Sequence, residues 1–557
     1  MIKCKGCGAS VVFDPATQLL RCPYCGRTEE VSNFTDSYPH YVEAETDPYD
    51  PHVTHQVKTY DALLYSCPNC GAELLATDET ASTFCSFCGD SVVLRPRLAR
   101  QKYPEYIIPF SKTKKDCEEA YRRKLKRAIF APSRMKNETE IEKFRGIYMP
   151  YWTYGFTKDR EVSLEGTKSR RVGDYVHTDH YRLSKDVHAG LEGASYDAAS
   201  TFNDTLSEAI SPFDVTGAKE FTPAYLSGFY ADVGDVDKNL YEEDARSVAA
   251  EYFRSNVLRD PAFSGYKINE GTLSNQLRPE EKPEKMGYFP VWFLALRSRN
   301  NKRVSYAVVN GQTGKVAADL PVSFLKYLGG SLILAVPIFL LLNFVFTLSP
   351  VKALLIAAFL SLVSMIIVNV QLNRTYTREH DLDDRGLQSV RGNQTGQPMP
   401  QQSPPERKKT RKKKGISTGL LSFLIFAVVF FGVYVLDEIP WIWDGGAMVT
   451  FLFIGIVVLI FFIIEAVKSG KEKYKRRKQK ISKAPFKEKL VTLLKPIAGM
   501  VLAIVVWLLN PVQDIYYYGA AALVMALITW SIFDIIREHN RQTMRPLPQF
   551  EKRGGKG

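Results

Sequence analysis

The sequence predicts a multidomain fold: two small β modules at the N-terminus, a soluble α/β domain rich in strands, and an all-α block of six transmembrane helices. Three observations carry this reading. Eight of the nine cysteines form four Cys-x-x-Cys pairs within the first 88 residues. Two strand–helix–strand patterns follow, each closing on an aromatic-x-Pro-x-Trp motif, which suggests a duplicated domain of two related halves. The C-terminal half then holds six apolar stretches, each near the ~20 residues that a helix needs to cross a hydrocarbon core.

The first cysteine quartet is Cys4, Cys7, Cys22 and Cys25, and the second is Cys67, Cys70, Cys85 and Cys88. Both have the spacing C-x2-C-x14-C-x2-C, and the second lies 63 residues after the first. Glycine follows every pair, at Gly8, Gly26, Gly71 and Gly89. Two thiolates from one tight turn grip one side of a metal ion, and a hairpin returns a second such turn to complete a tetrahedral Cys4 site. A glycine after each turn allows a positive φ, so that backbone N–H groups can face the sulfurs. This is the pattern of a zinc ribbon, and it predicts two structural zinc sites, since four thiolates leave no open coordination position. A disulfide framework would suit a short secreted chain. Here the chain begins Met1-Ile2-Lys3-Cys4 without a charged-then-apolar leader, which places the N-terminus in the cytoplasm on this reading. The modules span residues 1–32 and 60–98, with a linker over 33–59. The ninth cysteine, Cys117, stands alone in a predicted helix and reads as a small buried apolar residue.

The middle domain covers residues 100–320. Strands are predicted at 106–110, 147–154, 225–230 and 288–296, with helices at 114–129 and 243–258 and the apolar residues Ala120, Leu125 and Ile129 on one face of the first helix. Pro150 and Pro290 inside these strands point to edges or bulges. Segment 308–316 reads as a hairpin turning at Asn310-Gly311; it lacks the G-x4-G-K-[ST] of a phosphate loop. The Tyr and Trp residues read as core rather than as a peptide site. His177, Asp179, His180 and His188 read as a surface strand rather than a further metal site. No catalytic constellation is found, so the chain reads as a non-enzyme.

The apolar stretches lie at 327–348, 351–372, 417–436, 446–467, 491–510 and 515–536, forming hairpins over 327–372, 417–467 and 491–536. The formal net charge of +13 is concentrated between and after them. Segment 373–416 holds 11 Lys/Arg against 5 Asp/Glu, 468–490 holds 11 against 2, and 537–557 holds 6 against 2, leaving the remainder slightly acidic. The positive-inside rule places these segments, and both termini, in the cytoplasm of a multi-pass plasma-membrane protein. Segment 373–416 reads as a disordered basic linker, 468–490 as a basic loop and 537–557 as a basic tail. The run Arg407–Lys414 is suited to anionic lipid headgroups. The helix interiors carry no central charge; Glu465 lies near an end, and Asn343 and Asn369 are neutral. That pattern disfavours an ion carrier. The residues between the metal ligands are apolar and acidic, which disfavours nucleic acid.

With these motifs read, the chain resembles the bacterial TFIIB-type zinc-ribbon membrane proteins, which are also labelled primosomal helicase-like. The resemblance rests on the ribbons, on 148–152 and 288–292, and on the 310–315 turn. No helicase core accompanies it. The resemblance implies a membrane adaptor with phage-shock-type, flotillin-like or TPM-domain protein partners. The expected function is therefore a zinc-binding membrane scaffold that recruits cytoplasmic and membrane proteins, in envelope stress by the same resemblance. A membrane-tethered nucleic-acid-binding protein and a transporter are the alternatives.

Overall fold

The computed structural model describes residues 3–37, 42–44, 57–76, 85–91, 95–298, 300, 302–345, 349–380, 382–395 and 486–550. The predicted spans 417–436 and 446–467, Glu465, the Arg407–Lys414 run and most of loop 468–490 lie outside these residues. The chain divides into two compact units. One is Met1–Pro321 with Asp381–Pro398 and Thr543–Gly557, and the other is Val322–His380 with Met399–Gln542. The chain is thus multidomain, with a β-rich region and a helical block.

The first unit is built on a 15-stranded sheet and a separate three-stranded sheet in the first ribbon. At the centre of the large sheet, Arg145–Val172 runs antiparallel to Lys285–Arg297, with Met149 opposite Phe289. The pairing repeats about that point. Pro150 faces Tyr288, and Tyr148 faces Pro290. Outside each central strand lies a short parallel strand from the other half, Tyr230–Asp232 beside Ile147 and Tyr148, and Tyr106–Ile107 beside Gly287 and Tyr288. Trp152 donates its ring N–H to the Val236 carbonyl at 2.8 Å, as Trp292 does to the Lys112 carbonyl at 3.0 Å.

This arrangement corrects the reading of the two prolines, which lie in the central strands and not at an edge. Each sits where a neighbouring strand leaves the ladder, so no N–H is missed. The Pro150 carbonyl accepts from the Ala198 N–H, and the Ala198 carbonyl turns to Asp235 and Val236. In the other half the Pro290 carbonyl accepts from Gly311, whose own carbonyl takes the N–H groups of Ser111 and Lys112. The aromatics are core. Phe110 stacks on Phe229 at 4.4 Å and meets Trp292 at 5.1 Å, and on the opposite face Tyr151 stacks on Phe289 at 4.4 Å.

Several boundaries move. The first helix is Lys114–Arg127, capped by Thr113 and Asp116; it buries Ala120 and Leu125 but leaves Ile129 beyond its end and exposed. The second is Glu242–Arg259. Residues 223–226 form a 3-10 turn, and the strand expected there begins at Tyr230, because Pro223 starts a turn of helix more readily than a ladder. The turn after Arg303–Asn310 is not a two-residue Asn-Gly turn. The Asn310 side chain accepts the N–H groups of Gln312 and Thr313, Gly314 takes the positive φ of +76°, and the strand resumes at Val316.

The segments read as linkers are partly ordered. Val42–Ala44 pairs with Val57–Ser66, and Arg95–Lys102 pairs along the same strand, so the second ribbon belongs to the large sheet and is no separate module. Arg385–Thr395 is a helix rather than disordered chain. Asp384 is buried, accepting from Asn203 at 2.8 Å and from the Leu387 N–H at 2.9 Å. Arg385 pairs with Asp244 and lies over the Tyr241 ring. In the tail, Arg545–Pro546 adds a strand beside Arg303 and Val304.

The second unit contains helices Phe324–Val345, Pro350–Glu379, Phe486–Leu509 and Asp514–Thr543. Three, over Ala353–Glu379, Thr492–Leu509 and Asp514–Thr543, are long and apolar enough to cross a membrane; Phe324–Pro337 is a shorter apolar stretch. Two helices run past the expected ends at 372 and 536, because their polar continuations satisfy each other. Arg541 pairs with Glu379, and Gln542 donates to the Gln371 carbonyl at 2.9 Å. Lys495 and Asp534, 2.5 Å apart, form an ion pair that a scan of helix centres passes over.

Candidate metal centres

Each Cys-x-x-Cys turn closes in the same way. The N–H of Gly8, Gly26, Gly71 or Gly89 donates to the carbonyl of the first cysteine of its pair, at 2.9, 3.0, 2.9 and 2.9 Å. The N–H of that same cysteine donates to the residue after the glycine, as Cys4 to Ala9 at 2.7 Å and Cys67 to Ala72 at 2.8 Å. Closing a turn this tightly requires a left-handed residue, and the four glycines carry φ of +73°, +73°, +76° and +67°.

The turns bring all eight predicted ligands into two groups. Within each, the four sulfurs lie within 4.8 Å of one another. Cys4 and Cys25 sulfurs are 3.6 Å apart, and those of Cys7 and Cys22 are 3.4 Å apart. In the second group Cys67–Cys88 is 3.9 Å and Cys70–Cys85 is 3.7 Å. Four sulfurs at ~2.3 Å from a central zinc define a tetrahedron with edges of ~3.8 Å, so both groups fit a four-coordinate metal ion. Thiolates are the ligating form. Backbone N–H groups of Cys7 and Gly6 hold the Cys4 thiol below its ordinary range, and that of Cys25, helped by Tyr24, brings Cys22 down to about 6, while against the Ala9 N–H the Cys22 and Cys25 thiols push Cys7 up to about 12.

The surroundings of the two groups differ. In the first, Cys4 and Cys22 are buried while Cys7 and Cys25 are exposed. Its hairpin, Val12–Asp14 with Leu19–Arg21, rests on the sheet domain through Phe13, whose N–H donates to Ser227 at 2.9 Å and whose ring meets Tyr225 at 5.3 Å. In the second, all four cysteines are buried. Arg297 donates through Nε to the Cys88 carbonyl at 2.7 Å and pairs with Asp90 at 3.3 Å. The Phe550 N–H donates to the Cys70 carbonyl at 2.7 Å, and its ring lies 6.1 Å from Phe87. Sequence reasoning missed Arg297 and Phe550, since nothing local to either marks it as a support for a distant cysteine turn.

The histidine segment lies on the exposed strand Tyr175–Asp197. His177 and His180 are an odd number of residues apart and so point to opposite faces. His188 pairs with Asp159 at 2.5 Å. Among the described residues, only the two cysteine groups bring three or more metal-ligating residues together. Cys117 is fully buried, which pushes its thiol well above the ordinary range.

No protein-family model matches the chain. No solved structure matches it. The chain is similar to the uncharacterized protein YdjG of Bacillus subtilis (strain 168), with 27% identity over 315 residues, covering 47% of this chain and 91% of that protein.

Proposed function

We propose that this chain is a zinc-binding, multi-pass membrane scaffold whose N-terminal ribbons and sheet domain recruit protein partners in the cytoplasm. The observation that carries the reading is the closure of both Cys4 groups. Each directs four sulfurs at one point, which suits a structural ion that shapes a surface rather than one that binds a reactant. The three membrane-length helices support attachment to a bilayer. Six spans with both termini in the cytoplasm complete the reading, through the basic segments between the apolar stretches. The resemblance to zinc-ribbon membrane proteins adds membrane-stress partners of the phage-shock, flotillin-like or TPM-domain kind.

The test is affinity isolation of the full-length protein from membranes, with and without nuclease, beside a Cys7→Ser/Cys25→Ser variant. Cytoplasmic proteins that survive nuclease and disappear with the variant support the scaffold. Recovery of nuclease-sensitive material alone replaces it with the nucleic-acid reading.

A further inference from the structure

The hairpin of Arg145–Val172 and Tyr175–Asp197 outruns the domain that supports it. Its lower part is well covered. Val162 and Leu164 are buried with Val257, Phe263, Leu273 and Leu277, and Ile268 pairs beside Gly166. The last support is Tyr266, whose ring meets Tyr181 at 5.2 Å and lies 4.1 Å from the Lys168 ammonium. Beyond it every residue from Lys168 to Arg182 is exposed. About five residues of each strand, roughly 17 Å, project without a covering element. A lone two-stranded ribbon is marginal in water, so a projection of this kind gains most from a surface to rest on.

The tip has the composition of an interfacial anchor. Gly173, with φ +62°, opens a two-residue turn between Val172 and Tyr175. Val172, Tyr175 and Val176 are 57%, 78% and 65% exposed. Both arginines lie on the first strand, Arg170 opposite His177 on the face of Val172 and Tyr175, and Arg171 opposite Val176 on the other face, so each face of the tip pairs an apolar end with a cation one step behind. Arg171 also bonds the Gly173 carbonyl at 3.0 Å and approaches Asp174 at 3.9 Å, which holds its guanidinium at the turn. Lys168, Arg170, Arg171 and Arg182 outnumber Asp174 and Asp179. An aromatic and two valines at the extreme end, with arginines one step behind, match an anionic lipid surface in order as well as in charge: apolar groups at the acyl boundary, guanidiniums among the headgroup phosphates.

We propose that the 168–182 hairpin tip docks on anionic lipid, seating Val172, Tyr175 and Val176 at the acyl boundary and Arg170 and Arg171 on the headgroups. The chain's membrane-length helices keep a lipid surface at high effective concentration, so a modest affinity suffices.

The test places a photo-crosslinking residue at the tip, Tyr175→p-benzoylphenylalanine, in the full-length protein. The protein is reconstituted in phosphatidylcholine vesicles with or without phosphatidylglycerol. Lipid adducts are counted by mass spectrometry. The expected result is a severalfold higher lipid-adduct yield with phosphatidylglycerol. Arg170→Gln and Arg171→Gln should each reduce that gain about fivefold, and added salt should erode it. Val172→Asp should reduce adducts even where both arginines remain, with the thermal transition unchanged because the site is exposed. Adducts to protein in place of lipid, equal yields in both vesicles, or no adducts in either would overturn the proposal.

Discussion

The two cysteine groups share spacing and turn geometry, yet one stands at the surface and the other is built into a core. The first exposes Cys7 and Cys25, while its other side, Cys4, Phe13, Leu20, Cys22, Val31 and Phe34, packs against the sheet domain. The second buries all four cysteines, lends its strand Glu73–Ala76 to the large sheet, and is held by Arg297 and Phe550. Identical ligand sets therefore have different consequences for stability. Loss of an ion bound at the first group is expected to act locally, and loss of one bound at the second to remove part of the domain's core.

The largest expected effect is on folding. If the second group holds zinc as proposed, Cys85→Ser should abolish the cooperative thermal transition of the strand-rich unit, since a structural zinc is worth ~10–16 kcal/mol against a typical domain stability of ~5–15 kcal/mol. Cys25→Ser should leave that transition in place and raise proteolysis only within residues 3–37. Equal effects of the two variants would erase the distinction. Next is accessibility. Under native conditions a thiol-alkylating reagent with a chelator should label Cys7 and Cys25 first and reach Cys67, Cys70, Cys85 and Cys88 only on unfolding, as read by peptide mass spectrometry.

Phe550→Ala, at a half-buried ring, should cost about 2 kcal/mol and speed metal loss from the second site alone, which metal-release kinetics would resolve. The glycines sharpen the comparison on a finer scale. A methyl at Gly8 meets open space, whereas at Gly89 it comes to 3.0 Å from the Ala295 carbonyl. Gly8→Ala should thus cost only the left-handed penalty of ~1–2 kcal/mol, and Gly89→Ala more.

The smallest effect concerns pH. Burial, reinforced by the charge of Asp204, pushes the Asp384 carboxyl up to about 8. An unfolded carboxyl titrates near ~4, so the folded group holds its proton over the window between. Its contribution is fully present below ~4 and is lost progressively as pH rises to about 8. Amides 385–391, corrected for intrinsic exchange, should exchange faster at pH 9 than at pH 6, and Asp384→Asn should flatten the difference.

The cysteine groups were legible because ligand spacing and the following glycine act within a few residues. The membrane-length helices were legible because span length and hydropathy are local too. What stayed hidden depends on partners far along the chain. Pro150 and Pro290 looked like edge or bulge markers because the carbonyls of Ala198 and Gly311, which find other donors, cannot be seen from the strand itself. Segment 382–395 looked like solvated linker because its anchors are polar: Asp384 on Asn203 and Arg385 on Asp244. Composition counts such residues as disordering and cannot register that they are buried in pairs.

The exchange of short strands between the halves sets an order of assembly. Tyr106–Ile107 finds its parallel partner only at Gly287 and Tyr288, and Ile147 and Tyr148 find theirs at Tyr230 and Ala231. On a ribosome, the first half has no complete sheet until the second has emerged. The unit then still lacks Asp384 and Arg385, which follow the apolar helix ending at Glu379, and the strand Arg545–Pro546, which follows the one ending at Thr543. The sheet domain is therefore expected to reach its mature form last, after the later helices have been made. That timing couples completion of its surface to synthesis of the Asp514–Thr543 helix.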